Sequence, residues 1–99
     1  MNWGSRNIVR MVNGIDLLVR NMDIESQMKY ADAFQYMANI CTSNIGKDMR
    51  GVNHNLCLAT DTCDYFLSSE NENKIQVGKE LDNSLGSVID NLNLEVNCK

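Results

Sequence analysis

The sequence contains no proline and only six glycines among its 99 residues. Proline and glycine are the residues that interrupt helices most strongly, so their scarcity removes the usual breaks between helical turns. A chain of this length forms one domain, residues 1–99, and can bury about two thirds of the surface that its unfolded form exposes. The composition therefore predicts an all-α protein, a small antiparallel bundle of about four helices.

The sequence also lacks a long apolar segment. No run approaches the ~18 apolar residues of a membrane-spanning helix. Residues 2–6, Asn-Trp-Gly-Ser-Arg, do not lead from a basic segment into an apolar run and a small-residue cleavage site, as a secretory signal does. These absences predict a soluble, cytoplasmic protein without a membrane partner.

Positive charge is scarce in the second half of the chain. Up to Val52, six Lys or Arg residues face five Asp or Glu residues, whereas from Asn53 onward three face eight. Phosphate binding requires a positively charged surface, so this distribution argues against a nucleic-acid partner. The acidic half suits either a basic partner protein or a solvated helix surface.

The longest helical pattern runs from Asp23 to Ile45 and is apolar around most of its circumference. At ~100° per residue, one narrow polar stripe contains Glu25, Lys29, Asp32, Tyr36, Asn39 and Ser43. The apolar remainder contains Ile24, Met28, Ala31, Phe34, Met37, Ala38, Ile40, Cys41 and Ile45. Such a helix needs neighbours on two or three sides. Asp23 is the predicted N-cap, and Gly46 is the predicted left-handed residue after the last turn.

Three further helices are predicted around this central one. The first occupies residues 5–22, although Asn13-Gly14 also permits a β-hairpin there. Residues 46–53 form the longest connection, and a third helix begins at Asn53 or Asn55 and ends near residue 67. The fourth runs from about residue 74 to residue 92, where Gly78 and Gly86 indicate either a close helix contact or a marginal helix.

The single histidine, His54, precedes two cysteines in the pattern H-x2-C-x5-C, formed with Cys57 and Cys63. This pattern permits a small zinc or thiol protein if Cys41 or Cys98 completes the ligand set, but it lacks the tight cysteine pair of ordinary zinc sites. In a reducing compartment the four cysteines are predicted to be mostly free thiols.

His54-Asn55-Leu56 resembles the site of histidine phosphotransfer domains. These four-helix bundles carry an exposed histidine that takes a phosphoryl group from an aspartyl phosphate, so the resemblance implies that role for His54. The resemblance covers three residues only. The lysine and glycine that normally follow are Cys57 and Leu58 here, which removes a positive charge that would steady the phosphate.

No set of residues predicts an enzyme, a cofactor site or a metal site. Cys57 lies one helical turn from His54, but no third group is placed to orient the imidazole. Two features indicate a binding surface instead. Leu17 lies outside the inward stripe of its helix, and methionine, which suits adaptable binding surfaces, is abundant. The sequence thus predicts a non-enzymatic inhibitor or adaptor that forms a homo-oligomer, such as a homodimer, and captures another protein. The candidate partner-binding residues are Leu17, Met28, Tyr36, Met49 and Arg50.

Overall fold

The structure, a computed structural model, describes residues 14–96, which form an antiparallel helical bundle. Residues 14–20 are helical and are named α1, followed by α2 (Ile24–Ile45), α3 (Met49–Leu67) and α4 (Glu72–Leu92). The predicted all-α bundle of about four helices is confirmed. The hairpin alternative is wrong for residues 14–20, and the rest of that predicted segment, residues 5–13, lies outside the described part.

The core lies between α2, α3 and α4, with α3 in the middle. α2 packs mainly on α3, α3 also packs on α4, and α2 contacts α4 least. The Cα positions span 38 × 36 × 18 Å, so the short dimension holds about two layers of helices at the usual spacing of ~8–10 Å. The buried apolar residues are Val19, Tyr30, Ala33, Met37, Ile40, Val52, Leu56, Ala59, Cys63, Phe66, Val77, Leu81 and Leu85.

The limits of α2 follow from local capping. The Asp23 carboxylate accepts hydrogen bonds from the Ser26 backbone N–H at 3.2 Å and from the Ser26 hydroxyl at 2.7 Å, which confirms the predicted N-cap. The prediction that Gly46 is left-handed is wrong, because its φ is −80° and Lys47 has φ 57°. The Asp48 N–H donates to the Ser43 carbonyl at 2.8 Å and the Lys47 N–H to the Asn44 carbonyl at 3.1 Å, the pattern of a Schellman motif.

The predicted long connection over residues 46–53 is wrong, because α3 begins at Met49. The Asp48 side chain accepts a hydrogen bond from the Gly51 N–H at 3.1 Å and caps the new helix. The connection therefore contains only residues 46–48. A glycine in the first turn lowers helix propensity, but an aspartate N-cap and packing of the adjacent Val52 in the core outweigh it.

The predicted limits of α4 are closer to those observed. Asn71 accepts hydrogen bonds from the N–H groups of Asn73 and Lys74, so the helix begins at Glu72, two residues before the predicted start. It ends at Leu92 as predicted, and Asn93 follows with φ 54°, a conformation that asparagine tolerates.

A salt bridge between the first turns of α2 and α4 predicts sensitivity to acid. Asp23 lies 3.0 Å from Lys74 Nζ, and the hydrogen bond from the Ser26 side chain, with that from Lys74, lowers the Asp23 pKa from 3.8 to about 2. A lowered folded-state pKa stabilises the fold above the unfolded-state pKa, and this contribution is lost as pH falls from about 4 to about 2. Thermal unfolding of wild type and Asp23→Asn followed by circular dichroism should therefore give melting temperatures that converge over this interval.

The matched control is Asp61→Asn, on the exposed surface of α3. The difference in melting temperature between Asp61→Asn and wild type should change less over the same pH interval. A constant difference between wild type and Asp23→Asn would contradict the assigned role of the Asp23 carboxylate.

Candidate protein-binding face

α2 has apolar residues on two opposite sides, and the described helices cover only one of them. The buried positions are Ser26, Tyr30, Ala33, Met37 and Ile40. A second row lies two residues along α2 from this one, or about 200° around the helix axis, and all of its members are exposed. We name it the outer face of α2; it consists of Ile24, Met28, Ala31, Gln35, Ala38, Thr42 and Ile45. The expectation of neighbours on two or three sides of this helix is not met along this row.

The large side chains of the outer face are strongly exposed. Ile24 is 70% exposed, Met28 62% and Ile45 82%, and Phe34, which borders the row, is 41% exposed. Burying a side chain of this size stabilises a protein by about 1.5–3 kcal/mol. Scattered exposed apolar residues are common on protein surfaces, but an exposed row along a whole helix that is apolar except at Gln35 and Thr42 is typical of an interaction site.

The outer face carries no charge. The charged residues of α2 are Glu25, Lys29 and Asp32, all in its first half and none on the outer face; residues 33–45 contain none. A surface without charge is inexpensive to desolvate, so it suits contact with another apolar surface better than contact with an ion or a phosphate.

The structure separates the five candidate residues predicted from the sequence. Met28 lies on the outer face, and Met49 is 51% exposed at the start of α3, four residues after Ile45. Arg50 is exposed beside Met49, and Leu17 is exposed on α1. Tyr36 is half-buried and packs against the core, because the stripe that contains it follows α3, where Asn39 Nδ2 lies 3.2 Å from Asn55 Oδ1.

Sequence reasoning did not single out the rest of the outer face. Its apolar residues Ile24, Ala31, Ala38 and Ile45 belong to the apolar part of the sequence pattern, but the pattern does not assign them to the surface. The available signal was the spacing of the row, whose members are separated alternately by four and three residues. This spacing is that of a coiled-coil seam.

A second cluster, at the opposite end of α2 from Ile45, is built around Tyr65. The Tyr65 hydroxyl donates to Glu25 Oε1 at 3.0 Å and lies 3.1 Å from the Ser26 hydroxyl. Lys29 Nζ lies 4.9 Å from the centre of its ring and Lys74 Nζ 5.9 Å, within range of cation–π attraction. These groups partner one another across α2, α3 and α4, so we assign the cluster to holding the helix ends together.

Within the described residues, His54 and the cysteines at 41, 57 and 63 do not form a metal site, and Cys98 lies outside the described part. His54 is exposed on α3, and no three His, Cys, Asp or Glu residues within the described part are grouped to hold a metal ion. Cys41 and Cys63 are free thiols, as predicted. The prediction is wrong for Cys57, which is disulfide-bonded and thus neither a thiolate ligand nor a nucleophile. Because disulfides persist mainly in oxidising compartments, the cysteines give no support to the predicted cytoplasmic location.

Burial makes Cys63 an unreactive thiol. The loss of solvent raises its pKa to about 11, and the nearby carboxylates of Asp82 and Asp64 add to the shift. The thiolate is the reactive form of cysteine, so Cys63 is protonated and inert at neutral pH. It acts as a small apolar residue of the core.

Comparison of the chain with protein-family models, with curated proteins and with solved structures found no match. Among residues 14–96, no helix is both long and apolar enough to cross a membrane. The outer face of α2 is therefore the feature from which a function can be argued.

Proposed function

We propose that this chain is a non-enzymatic protein-binding module, a small helical adaptor or inhibitor that self-associates and captures a partner protein. The observation that carries the proposal is the exposed, uncharged and apolar outer face of α2, which extends along 22 residues, about 33 Å at 1.5 Å per residue. A helix that presents such a row is suited to a groove or to another helix on a second polypeptide.

Two observations favour binding over catalysis. Cys57, the candidate nucleophile, is disulfide-bonded, and the buried Cys63 thiol is held protonated. The outer face itself bears only one amide and one hydroxyl among aliphatic and thioether side chains, none of which is an acid, a base or a strong nucleophile. The cytoplasmic location remains part of the proposal on the sequence argument alone.

The experiment is site-specific photocrosslinking in cells that naturally produce the chain. p-Benzoylphenylalanine replaces Met28, a large residue of the outer face that is 62% exposed, and in a matched variant it replaces His54, which is exposed on α3. We expect crosslinked polypeptide products from Met28→p-benzoylphenylalanine, because its side chain lies inside the interface, and few from the variant at position 54.

Two results would count against the proposal. Absence of any polypeptide product at position 28 would remove the outer face as a protein contact. Products confined to position 54 would favour the alternative in which His54 meets a phosphotransfer partner, a role that an exposed histidine on a bundle helix permits. In that case phosphorylation of His54 should be sought directly by acid-labile phosphate analysis.

A further inference from the structure

The outer face of α2 is a complete coiled-coil seam. Its members lie at positions 24, 28, 31, 35, 38, 42 and 45, so the steps alternate between four and three residues. The buried row on the other side of the same helix, from Ser26 to Ile40, has the same alternation. The buried row packs against α3 and its neighbours. The outer face has the same spacing, but no described helix packs against it.

We propose that the occupant of this second seam is α2 of a second copy of the chain, packed antiparallel, with the two-fold axis passing near Gln35. The inference rests on the proposed function, because it names the protein that the outer face binds. A two-fold interface requires that one surface patch be complementary to itself.

The residues of the seam meet that requirement when one copy is reversed. Ile24 then lies opposite Ile45 of the second copy, and Ala31 lies opposite its Ala38. Small residues at the centre let two helices approach closely, and the larger residues at both ends fill the space where crossing helices diverge. Gln35 lies opposite its own copy, where the two amides can hydrogen-bond to each other and, like a polar residue in a coiled-coil core, fix the register.

The charges of α2 favour the antiparallel orientation. Parallel packing would place Asp32 near its own copy, whereas antiparallel packing places it against the uncharged residues 33–45. The same arrangement sets the positive N-terminal end of each helix dipole beside the negative C-terminal end of the other.

The area of the seam predicts a weak dimer. A strip about 33 Å long and about 10 Å wide covers about 330 Å² on each copy and about 660 Å² in total, below the ~1,200 Å² at which standard interfaces begin. Met49, exposed at the α2–α3 corner four residues after Ile45, extends the apolar surface at each end. We therefore expect a dimer that dissociates on dilution.

The first test is the solution mass of the purified full chain, by light scattering after size exclusion, from about 1 to about 500 µM, a range that includes the affinities expected for small interfaces. The wild type should change from monomer to dimer over this range. Ala38→Glu places two like charges near the axis and should raise the dissociation constant at least ~30-fold. The matched control Ser87→Glu adds the same charge to an exposed position of α4 and should stay within about threefold of wild type.

The orientation is tested by restoring charge complementarity. Ala31→Lys alone should weaken the dimer, as Ala38→Glu does. In the double variant Ala31→Lys/Ala38→Glu, antiparallel packing brings each lysine to the glutamate of the other copy, so dimerisation should be stronger than in either single variant. In parallel packing the double variant would combine two repulsive pairs and would be the weakest of the three.

Each contrary result overturns the inference in a recognisable way. A wild type that is monomeric throughout excludes a second copy as the occupant, and crosslinking at position 28 to a different protein would then leave the proposed function standing. A dimer insensitive to Ala38→Glu lies on another surface. A dimer seen only in non-reducing electrophoresis is a disulfide product, and a double variant weaker than both single variants contradicts the antiparallel orientation.

Discussion

Replacing Phe66 with alanine is expected to lower the free energy of unfolding by about 3–5 kcal/mol, a large part of the ~5–15 kcal/mol typical of a domain. Phe66 is fully buried on α3, contacts the Tyr65 ring edge-on at 5.1 Å and lies against α4 at Gly78. The lost ring leaves a cavity between two helices whose backbones cannot close it. Chemical denaturation at low protein concentration, where the proposed dimer would dissociate, measures this loss.

The matched control is Phe34→Ala, the same change at the only other phenylalanine of the chain. Phe34 is 41% exposed beside the outer face and makes an edge-on contact with Tyr30 at 4.9 Å. Its replacement should cost no more than about 1.5 kcal/mol, because Phe34 is partly exposed and its ring buries less area than that of Phe66. Equal losses in the two variants would contradict the assignment of Phe34 to the exposed side of α2.

Replacing Gly78 with alanine should destabilise the protein, whereas the same change at Gly86 should stabilise it. A Cβ atom at Gly78 would lie 2.9 Å from the Leu67 backbone nitrogen and 2.9 Å from Phe66 Cβ, both of α3. Relieving these contacts requires moving one helix away from the other and costs about 1–3 kcal/mol. This cost outweighs the gain in helix propensity from alanine, which is at most ~1 kcal/mol.

A Cβ atom at Gly86 would meet no atom within 4 Å outside the neighbouring turns of its own helix, so only the gain in helix propensity remains, up to ~1 kcal/mol. The two variants should therefore differ in unfolding free energy by about 1–3 kcal/mol, with opposite signs relative to wild type. Chemical denaturation of both variants beside wild type provides the measurement. Stabilisation by Gly78→Ala would show that α3 and α4 are further apart than these distances require.

The sequence by itself determined the class of the fold and the position of its central helix. Both follow from interactions within one or two turns: the lack of proline, the cap at Asp23 and the apolar spacing up to Ile45 act whatever the rest of the chain does. The same local logic located the end of α4 at Leu92. Local rules did not locate the start of α3. A capping residue such as Asp48 near two glycines favours a loop by these rules, but α3 begins one residue later, at Met49.

Only the tertiary structure decided which residues are buried and which are presented to a partner. Both sides of α2 are apolar with the same spacing, so periodicity could not distinguish the row containing Ile40, which is buried, from the row containing Ile45, which is exposed. Gly78 and Gly86 likewise have similar local sequence settings but opposite surroundings. Burial depends on which distant helix packs against a residue, and here α3 and α4 pack on one side of α2 and leave the outer face of α2 uncovered.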